Sequence, residues 1–471
     1  MQRHGAADAS RLASPAVPAA TTTRVSWVSS NPSRSVALAF AVAIAVATLL
    51  LRLPAARDDG RDTTLLQAFF TATSAICVTG LTVVDTATHW SPLGEIVLLV
   101  LVQLGGIGIM TFASVVALAV NRRLGMGARD LATVERSTGS PGDVLPLLLS
   151  VIQISFAFQL TGAVLLGAGF WVRLDLGVGD AAWQGVFHSV MAFNNGGFSL
   201  FPDSLAGFVG DWWTNLVIVV LVFCGSVGFP VLVEVRRKLV APSGRRPPFT
   251  LHTRLTLGAM VALLGVGFVG VLVLEWANTG TLGTLGVPEK VMASLFHSTN
   301  TRSGGFSTLD VGAMDSTTWL LTSILMFIGG GSAGTSGGIR VGTFAVIALM
   351  IWSEVRGDAD VRAHRRRLPE RAQRRAVAIA AVSMGVVVSG GAAVKSLAGI
   401  DLDRSLFEVT SAFGTSGLST GITSTLPPGA QLVLIALMYM GRLGPLTFGA
   451  ALVLRERHLR YRYPEEQPII G

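Results

Sequence analysis

Four short stretches of this chain combine glycine, serine and threonine in a way that suits the binding of a dehydrated cation. Each ends in Gly, then Leu or Phe, then Ser or Thr, and the four read FTATSAICVTGLT from Phe70, FHSVMAFNNGGFS from Phe187, FHSTNTRSGGFS from Phe296 and FEVTSAFGTSGLS from Phe407. Their glycines are Gly80, Gly197, Gly305 and Gly417. Rings of backbone carbonyl oxygens replace the water shell of a potassium ion, and glycine permits the unusual φ angles and close approach that such loops need. Four loops meeting on one axis would therefore form an ion-binding ring.

The elements that must position these loops are apolar. Long apolar runs, each sufficient to cross a bilayer as a helix, lie near residues 35–53, 94–120, 144–172, 211–235, 254–276, 317–352, 375–399 and 429–454. Shorter mixed segments separate the members of each pair, at 63–82, 182–199, 288–307 and 403–420. An apolar stretch that runs into a Gly/Ser/Thr cluster is typical of a re-entrant half-helix and loop.

The predicted fold class is therefore an all-α polytopic membrane protein. It has eight transmembrane helices in four units, each a span, a re-entrant pore helix and a second span, around a pseudo-fourfold central pore. The predicted boundaries are a disordered cytoplasmic tail at 1–34, repeats at 35–120, 144–235, 254–352 and 375–454, and a cytoplasmic C-terminal tail at 455–471.

Composition and charge agree with this class. Hydrophobic residues make up 51% of the chain and charged residues 14%, and the mean hydropathy is +0.59, which excludes an ordinary soluble domain. The net charge of +8 is concentrated in the segments 121–143, 236–254, 353–375 and 455–462. By the positive-inside rule both termini are cytoplasmic and the four half-helices enter from outside. We expect a multi-pass protein of the cell membrane that contacts lipids and binds no nucleic acid.

A run of glycines interrupts the sixth apolar stretch. GGGSAGTSGGIR (329–340) lies inside 317–352, which as one helix would be about 54 Å long at about 1.5 Å per residue. A hydrocarbon core is only about 30 Å thick, and broken backbone at that depth is tolerated only beside protein or a water-filled cavity. We interpret the loop as a movable obstruction in the cavity below the ring; the alternative is a flexible linker away from the pore. The predicted gate residues are Gly329, Gly330, Gly331, Ser332, Ala333, Gly334, Thr335, Ser336, Gly337, Gly338 and Arg442.

Arg442 lies in LMYMGRLGPLTF, in the middle of the last span. A charge at that depth is expensive and must face a cavity or a partner. One interpretation is a structural arginine bonded to carbonyls freed by Gly441, Gly444 and Pro445. The other is a positive charge beside the pore that opposes cation occupancy.

These motifs resemble the Trk/Ktr/HKT superfamily of potassium transporters, and the eight spans resemble its KtrB-type membrane subunit. The resemblance covers about residues 35–471 and extends to Arg442. It implies potassium as the transported ion, possible stimulation by sodium, a homodimer, and a KtrA-like cytoplasmic nucleotide-binding regulatory ring. It implies no covalent cofactor.

The same resemblance assigns the ion-coordinating positions. They are Val78, Thr79 and Gly80; Asn195, Gly196 and Gly197; Ser303, Gly304 and Gly305; and Thr415, Ser416 and Gly417. In sodium-preferring HKT relatives the first glycine is serine, so Gly80 favours potassium. We expect the side chains of Asn194, Asn195 and Arg302 to point behind the loops and brace them.

Two alternatives remain open. One is a sodium-conducting HKT-like transporter, and the other is a non-transporting membrane scaffold or receptor whose loops serve packing alone. An enzyme is not expected, because the glycine run lacks the Gly-Lys-Ser/Thr ending of a phosphate-binding loop and no nucleophile or metal triad is visible. Cys77 and Cys224 lie in apolar surroundings and are expected to be buried hydrophobes.

Overall fold

The computed structural model describes residues 32–58, 61–121, 144–242 and 246–444. The predicted tail 1–34, apart from its last three residues, lies outside these ranges. So do the C-terminal tail 455–471, the end of the fourth repeat from 445, and almost all of the basic loop 121–143.

The described chain is predominantly helical and falls into four consecutive groups of helices. The first group comprises α1 (Pro32–Leu51), α2 (Leu65–Ile76), the single turn α3 (Thr86–His89) and α4 (Pro92–Asn121). The second comprises α5 (Val144–Leu174), α6 (Val178–Asn194), α7 (Trp212–Val227) and α8 (Phe229–Val240). The third comprises α9 (Leu251–Leu274), α10 (Val287–Asn300), α11 (Ser316–Ile328) and α12 (Val341–Val355). The fourth comprises α13 (Glu370–Ala398), α14 (Leu402–Gly414) and α15 (Pro428–Leu443).

Little other regular structure connects these helices in the described residues. An antiparallel hairpin joins α12 to α13, with strands β1 (Arg362–Ala363) and β2 (Arg366–Arg367). Single 3₁₀ turns lie at Pro54–Ala56, Ala206–Phe208, Val311–Ala313 and Thr423–Thr425.

Length and composition identify four described helices that are long and apolar enough to cross a membrane, and five if one bent pair is counted as a single span. The four are α1, α5, α9 and α13, and the bent pair is α7 with α8. Helices α2, α4, α11, α12 and α15 contribute further, shorter apolar segments. The count of eight spans therefore stays a prediction.

A glycine with positive φ ends a helix in each of the three later groups. Gly228 (φ 103, ψ 140) separates α7 from α8 at an angle of 105°, and Gly444 (φ 84, ψ 140) ends α15 in the same conformation. Gly329 (φ 63) ends α11 before the expected break. The apolar run 211–235 is therefore divided between two helices, because the positive φ at Gly228 interrupts the first. Pro230 stands in the first turn of the second, where its missing N–H has no helical partner to lose.

The short helices α2, α6, α10 and α14 lie at the centre of the bundle. Each carries one of the phenylalanines that open the four sequence motifs, and all four rings are fully buried, at Phe70, Phe187, Phe296 and Phe407. In three groups a glycine of the next long helix packs directly on the carbonyl end of the short helix. These pairs are Gly105 on Ile76 O, Gly225 on Phe193 O and Gly441 on Phe413 O, and at each glycine an added Cβ would overlap the carbonyl oxygen.

We predict that Gly225→Ala strongly destabilises the protein. The new Cβ would have to displace the Phe193 carbonyl, which is backbone, and such overpacking typically costs about 1–3 kcal/mol or more. The measurement is the thermal unfolding midpoint of the purified protein in detergent.

The matched control is Gly258→Ala in the interior of α9, where an added Cβ meets nothing within 4 Å. This change should leave the midpoint unchanged or raise it, since alanine favours a helix over glycine by about 1 kcal/mol. Equal midpoints for the two variants would contradict the close-packing argument.

Candidate functional site

The four short helices end in the same backbone geometry. In each loop the shared spacing places one residue in the left-handed region, then one outside it, then a glycine with positive φ. The first positions are Val78 (φ 55), Asn195 (φ 62), Ser303 (φ 84) and Thr415 (φ 48); the glycines are Gly80 (φ 87), Gly197 (φ 68), Gly305 (φ 75) and Gly417 (φ 84). A glycine at the last position avoids the steric penalty of a Cβ at these angles.

The middle residue of each loop is anchored to its own helix. The amide N–H of Thr79 donates to Ser74 O at 2.7 Å, that of Gly196 to Met191 O at 2.7 Å, and that of Ser416 to Ser411 O at 2.8 Å. In the third loop Gly304 N–H donates to Asn300 O at 2.9 Å, a span of four residues instead of five. The third motif is one residue shorter than the others, and the hydrogen bond that spans four residues instead of five compensates for the missing residue.

The next residue fixes each loop from its other side. Leu81, Phe198, Phe306 and Leu418 follow the four glycines, and each is at most 1% exposed. Each glycine is thus held between an anchored amide and a buried apolar side chain.

The four glycines meet in a closed circle, which we call the glycine ring. A Cβ added to Gly80 would lie 2.9 Å from the Cα of Gly197, and one added to Gly197 would lie 2.9 Å from the Cα of Gly305. A Cβ on Gly417 would lie 2.9 Å from the Cα of Gly305 and 3.2 Å from that of Gly80. Loops distant in sequence therefore contact one another in chain order, one to two to three to four and back to one.

Backbone oxygens lie within this ring. The carbonyl oxygen of Gly196 would be 2.7 Å from a Cβ on Gly80, and that of Ser416 would be 3.1 Å from one on Gly305. The carbonyl oxygen of Thr79 would overlap a Cβ on Gly417. The centre of the ring is therefore lined by polar backbone atoms and carries no side-chain bulk.

A cavity of ≈ 180 Å³, which we call the vestibule, opens on one side of the glycine ring. The hydroxyl residue two positions after each glycine lines it, namely Thr82, Ser199, Ser307 and Ser419. Asp85 adds a carboxylate to its wall. The Ser or Thr of the sequence motif thus has a defined place, facing the approach to the ring.

Polar side chains of the second and third loops contact neighbouring helices. Asn194 donates to the Gln103 side chain at 2.6 Å, and the Asn195 amide lies 2.8 Å from the Thr335 hydroxyl. Arg302, 2% exposed, donates to Met260 O at 3.3 Å. All three residues connect their loops to adjacent helices or to the glycine run.

The predicted gate, residues 329–338, is packed against the ends of the loops. Gly331 N–H donates to Ser226 O at 2.7 Å, and Thr335 Oγ1 donates to Gly225 O at 3.0 Å. An added Cβ on Gly337 would lie 2.5 Å from Thr415 Oγ1. Most of its residues are buried, because its glycines allow close contact with the second and fourth groups. Its role as a movable obstruction below the ring stays a prediction.

Arg442 is 1% exposed and reaches two other parts of the chain. Its guanidinium donates to the carbonyl oxygens of Thr335 and Gly105. These carbonyls belong to the gate segment and the first group, rather than to the turn at Gly441, Gly444 and Pro445 that we considered. The structure therefore brings Arg442 into direct contact with the predicted gate.

Sequence reasoning missed two features of this site. Glu408 is fully buried on α14, and its carboxylate accepts hydrogen bonds from Ser419 and Thr420 in the segment that follows Gly417. It occupies the position after Phe that His188 and His297 take in the second and third motifs, which was the signal available in the sequence. The packing glycines Gly105, Gly225 and Gly441 were also missed; they recur at the start of a Gly-x-x-Gly pattern.

Comparison with known proteins identifies the family of the chain. The family described as TrkH, cation transport protein, matches residues 16–456. The Ktr system potassium uptake protein B of Bacillus subtilis (strain 168) is 35% identical over 449 residues, which cover 95% of this chain and 98% of that protein. The Ktr system potassium uptake protein D of the same organism is 36% identical, covering 94% and 97% of the two chains.

The potassium/sodium uptake protein NtpJ of Enterococcus hirae is 30% identical and covers 94% of this chain and 97% of its own. Among solved structures, the potassium transporter TrkH from Vibrio parahaemolyticus superposes with a TM-score of 0.70 at 21% identity, over 89% of this chain and 84% of that one. That likeness shows a TrkH-like fold. The family match and the two relatives above 30% identity establish that the chain belongs to the TrkH family of cation transport proteins.

Proposed function

We propose that this protein is a potassium uptake transporter whose glycine ring is the selectivity filter. The observation that carries the proposal is the closed ring of four glycine backbones, with carbonyl oxygens between them and hydroxyl groups at its mouth. Relatives named as potassium uptake proteins support the choice of ion. The filter comprises the twelve residues of the four loops: 78–80, 195–197, 303–305 and 415–417.

The chemistry of the step is an exchange of ligands. As a potassium ion enters from the vestibule, hydroxyl oxygens replace part of its water shell. Backbone carbonyl oxygens, which are already oriented, then replace the rest. An inward-moving cation gains about 2.3 kcal/mol per 100 mV of inside-negative potential, and a tenfold opposing gradient costs about 1.4 kcal/mol. The membrane potential alone is therefore a sufficient driving force for accumulation, and the flux is channel-like.

The segment 329–338, with Arg442, forms the gate of this pathway. The contact of Thr335 with Gly225 and Arg442 and that of Gly337 with Thr415 support a closed position directly behind the filter. Arg442 holds the gate through the Thr335 carbonyl and places a positive charge where it opposes cation occupancy.

The four helix groups correspond to four units of span, re-entrant pore helix and span, which together cross the cell membrane eight times with both termini in the cytoplasm. The matching loop geometries and matching glycine contacts support this repeat. The broken pairs α7–α8 and α11–α12 each count as one span, and the hairpin at 362–367, which carries four arginines, lies on the cytoplasmic side.

The protein acts as a homodimer in lipid, on a KtrA-like cytoplasmic nucleotide-binding ring that supplies regulation. The names of the Ktr system relatives support a transport system with more than one component. The protein has no enzymatic activity, covalent cofactor or nucleic-acid partner of its own. Sodium stimulates the uptake without being the main cargo.

A sodium-conducting transporter is the second candidate, because one relative is named a potassium/sodium uptake protein. Potassium is favoured by the resemblance to HKT transporters, whose sodium-preferring members have serine where this chain has Gly80. A membrane scaffold without transport is the third candidate. Ion uptake by the wild-type protein would exclude it, and absence of uptake would favour it.

We predict that Gly80→Ser abolishes selective potassium uptake. A side chain there would lie 2.7 Å from Gly196 O and 2.9 Å from the Gly197 Cα, at a φ of +87 that L residues rarely adopt. The measurement is growth of a potassium-uptake-deficient strain at low potassium, with ⁸⁶Rb⁺ uptake in competition with Na⁺. Gly305→Ser is expected to behave in the same way.

The control for backbone strain is Gly399→Ser, which has φ +67 at the end of α13 with nothing within 4 Å of an added Cβ. It should retain both uptake and selectivity. Wild-type ⁸⁶Rb⁺ uptake and selectivity in Gly80→Ser and Gly305→Ser would rule out the filter, and absence of uptake by the wild-type protein would rule out the proposed function.

We predict that Thr335→Val raises the ion flux. Valine keeps the shape but removes the hydroxyl contacts to Gly225 O and Asn195. Two net hydrogen bonds of about 1 kcal/mol each correspond to about a thirtyfold shift of the gate toward its open position. The measurement is initial ⁸⁶Rb⁺ uptake per amount of membrane protein. Deletion of 331–337 should raise the flux further and weaken regulation.

Ser332→Ala, at the half-exposed part of the same segment, is the control and should leave the flux unchanged. Unchanged or reduced flux in a stable Thr335→Val protein would contradict the gating role.

A further inference from the structure

Glu408 bonds the outer part of the fourth loop and is not one of the twelve filter residues. Its Oε1 accepts from Ser419 Oγ at 2.7 Å, Thr420 N at 2.8 Å and Thr420 Oγ1 at 3.1 Å. Its Oε2 accepts from Thr423 Oγ1 at 2.7 Å. One fully buried carboxylate therefore accepts four hydrogen bonds from the segment that follows Gly417.

Among the described residues, the ion pairs that the structure contains do not include Glu408. Its partners are hydroxyl and amide groups, and a buried carboxylate satisfied by several donors is a rigid anchor. If this position served packing alone, an apolar residue would fill it without the free-energy penalty of desolvating a carboxylate.

The anchor acts directly on the vestibule. Ser419 is the hydroxyl residue two positions after Gly417 and lines the vestibule wall. Since Ser419 donates its proton towards Glu408 and accepts from Gly421 N at 2.9 Å, its oxygen is fixed in position and orientation. A hydroxyl whose proton points away from the vestibule offers its oxygen to a cation.

The second loop contains a neutral counterpart of this contact. His188, at the same position after Phe, lies 3.1 Å from the hydroxyl of Ser199, the vestibule residue of that loop. In the third loop His297 instead lies 3.2 Å from Thr322 on α11, away from the vestibule hydroxyl Ser307. In the fourth loop the residue after Phe also contacts the vestibule hydroxyl, and there it is a carboxylate instead of an imidazole.

We propose that Glu408 is a selectivity-determining positioning residue, which holds Ser419 as an outer coordinating oxygen for the partly dehydrated cation above Gly417. This inference rests on the proposed function and adds a residue outside the filter to it. The carboxylate does not touch the ion; it acts through Ser419 and the backbone of Thr420. Because the other three loops lack this anchor, the outer mouth of the filter is asymmetric.

The test compares Glu408→Gln and Glu408→Ala with the wild-type protein, measuring the half-saturating concentration for ⁸⁶Rb⁺ uptake and the ratio of Rb⁺ to Na⁺ uptake. Glu408→Ala should reduce the ratio by about tenfold or more, the factor expected for losing one hydrogen bond to a charged group. Glu408→Gln keeps one acceptor for Thr420 N–H and should give an intermediate ratio. Both ratios are independent of how much protein folds.

The matched control is Glu275→Gln, which changes another buried carboxylate. Glu275 accepts from Asn278 at 2.7 Å, Thr281 at 2.7 Å and Asp315 N at 3.0 Å, and it lies outside the vestibule lining. This variant should change the amount of protein and leave both the ratio and the half-saturating concentration at wild-type values.

Thr423→Val provides a milder variant if Glu408→Ala does not fold. It removes one donor to Glu408 and should shift the ratio in the same direction by less. Wild-type ratios in Glu408→Gln and Thr423→Val would overturn the inference, as would an equal shift in Glu275→Gln. The proposed function fails separately, if the wild-type protein itself takes up no ⁸⁶Rb⁺.

Discussion

The arrangement of the site depends on one steric constraint, which is the direct contact of backbone with backbone at the centre of the bundle. Gly80, Gly197, Gly305 and Gly417 approach so closely that no side chain fits at any of them. Three further glycines, Gly105, Gly225 and Gly441, let the long helices contact the carbonyl ends of the short ones. Position in the ring is thus set by van der Waals contact, which varies far more steeply with distance than electrostatic attraction.

Polar groups around this centre orient the loops through hydrogen bonds. Each loop has an anchored amide on one side and a buried Leu or Phe on the other. Buried side chains then add directed bonds: Asn195 joins the second loop to Thr335, Arg442 joins Thr335 to the first helix group, and Glu408 holds the segment after Gly417. The low dielectric of the surroundings strengthens each such bond and makes its loss costly.

The sequence alone predicts those features that repeat or that stand out from their surroundings. Four matched motifs located the glycine ring, and the Gly run at 329 located the end of α11, because a cluster of glycines inside an apolar run strongly favours a break in the helix. The bend at Gly228 was not predicted, since a single glycine in an apolar helix is common and only tertiary contact selects its positive φ. Glu408 was missed because its partners at 419–423 follow a chain reversal that spacing along a helix does not reveal.

Arg442 has a consequence for water. The two carbonyls that it satisfies, those of Thr335 and Gly105, lie in different helix groups and share this one guanidinium as a donor. If residues 329–338 move as proposed, the Thr335 carbonyl leaves this donor, and a buried carbonyl without a partner is unfavourable. Water would then have to enter as the segment leaves. An ion that has passed the ring would find its hydration shell being assembled by the same movement that clears its way.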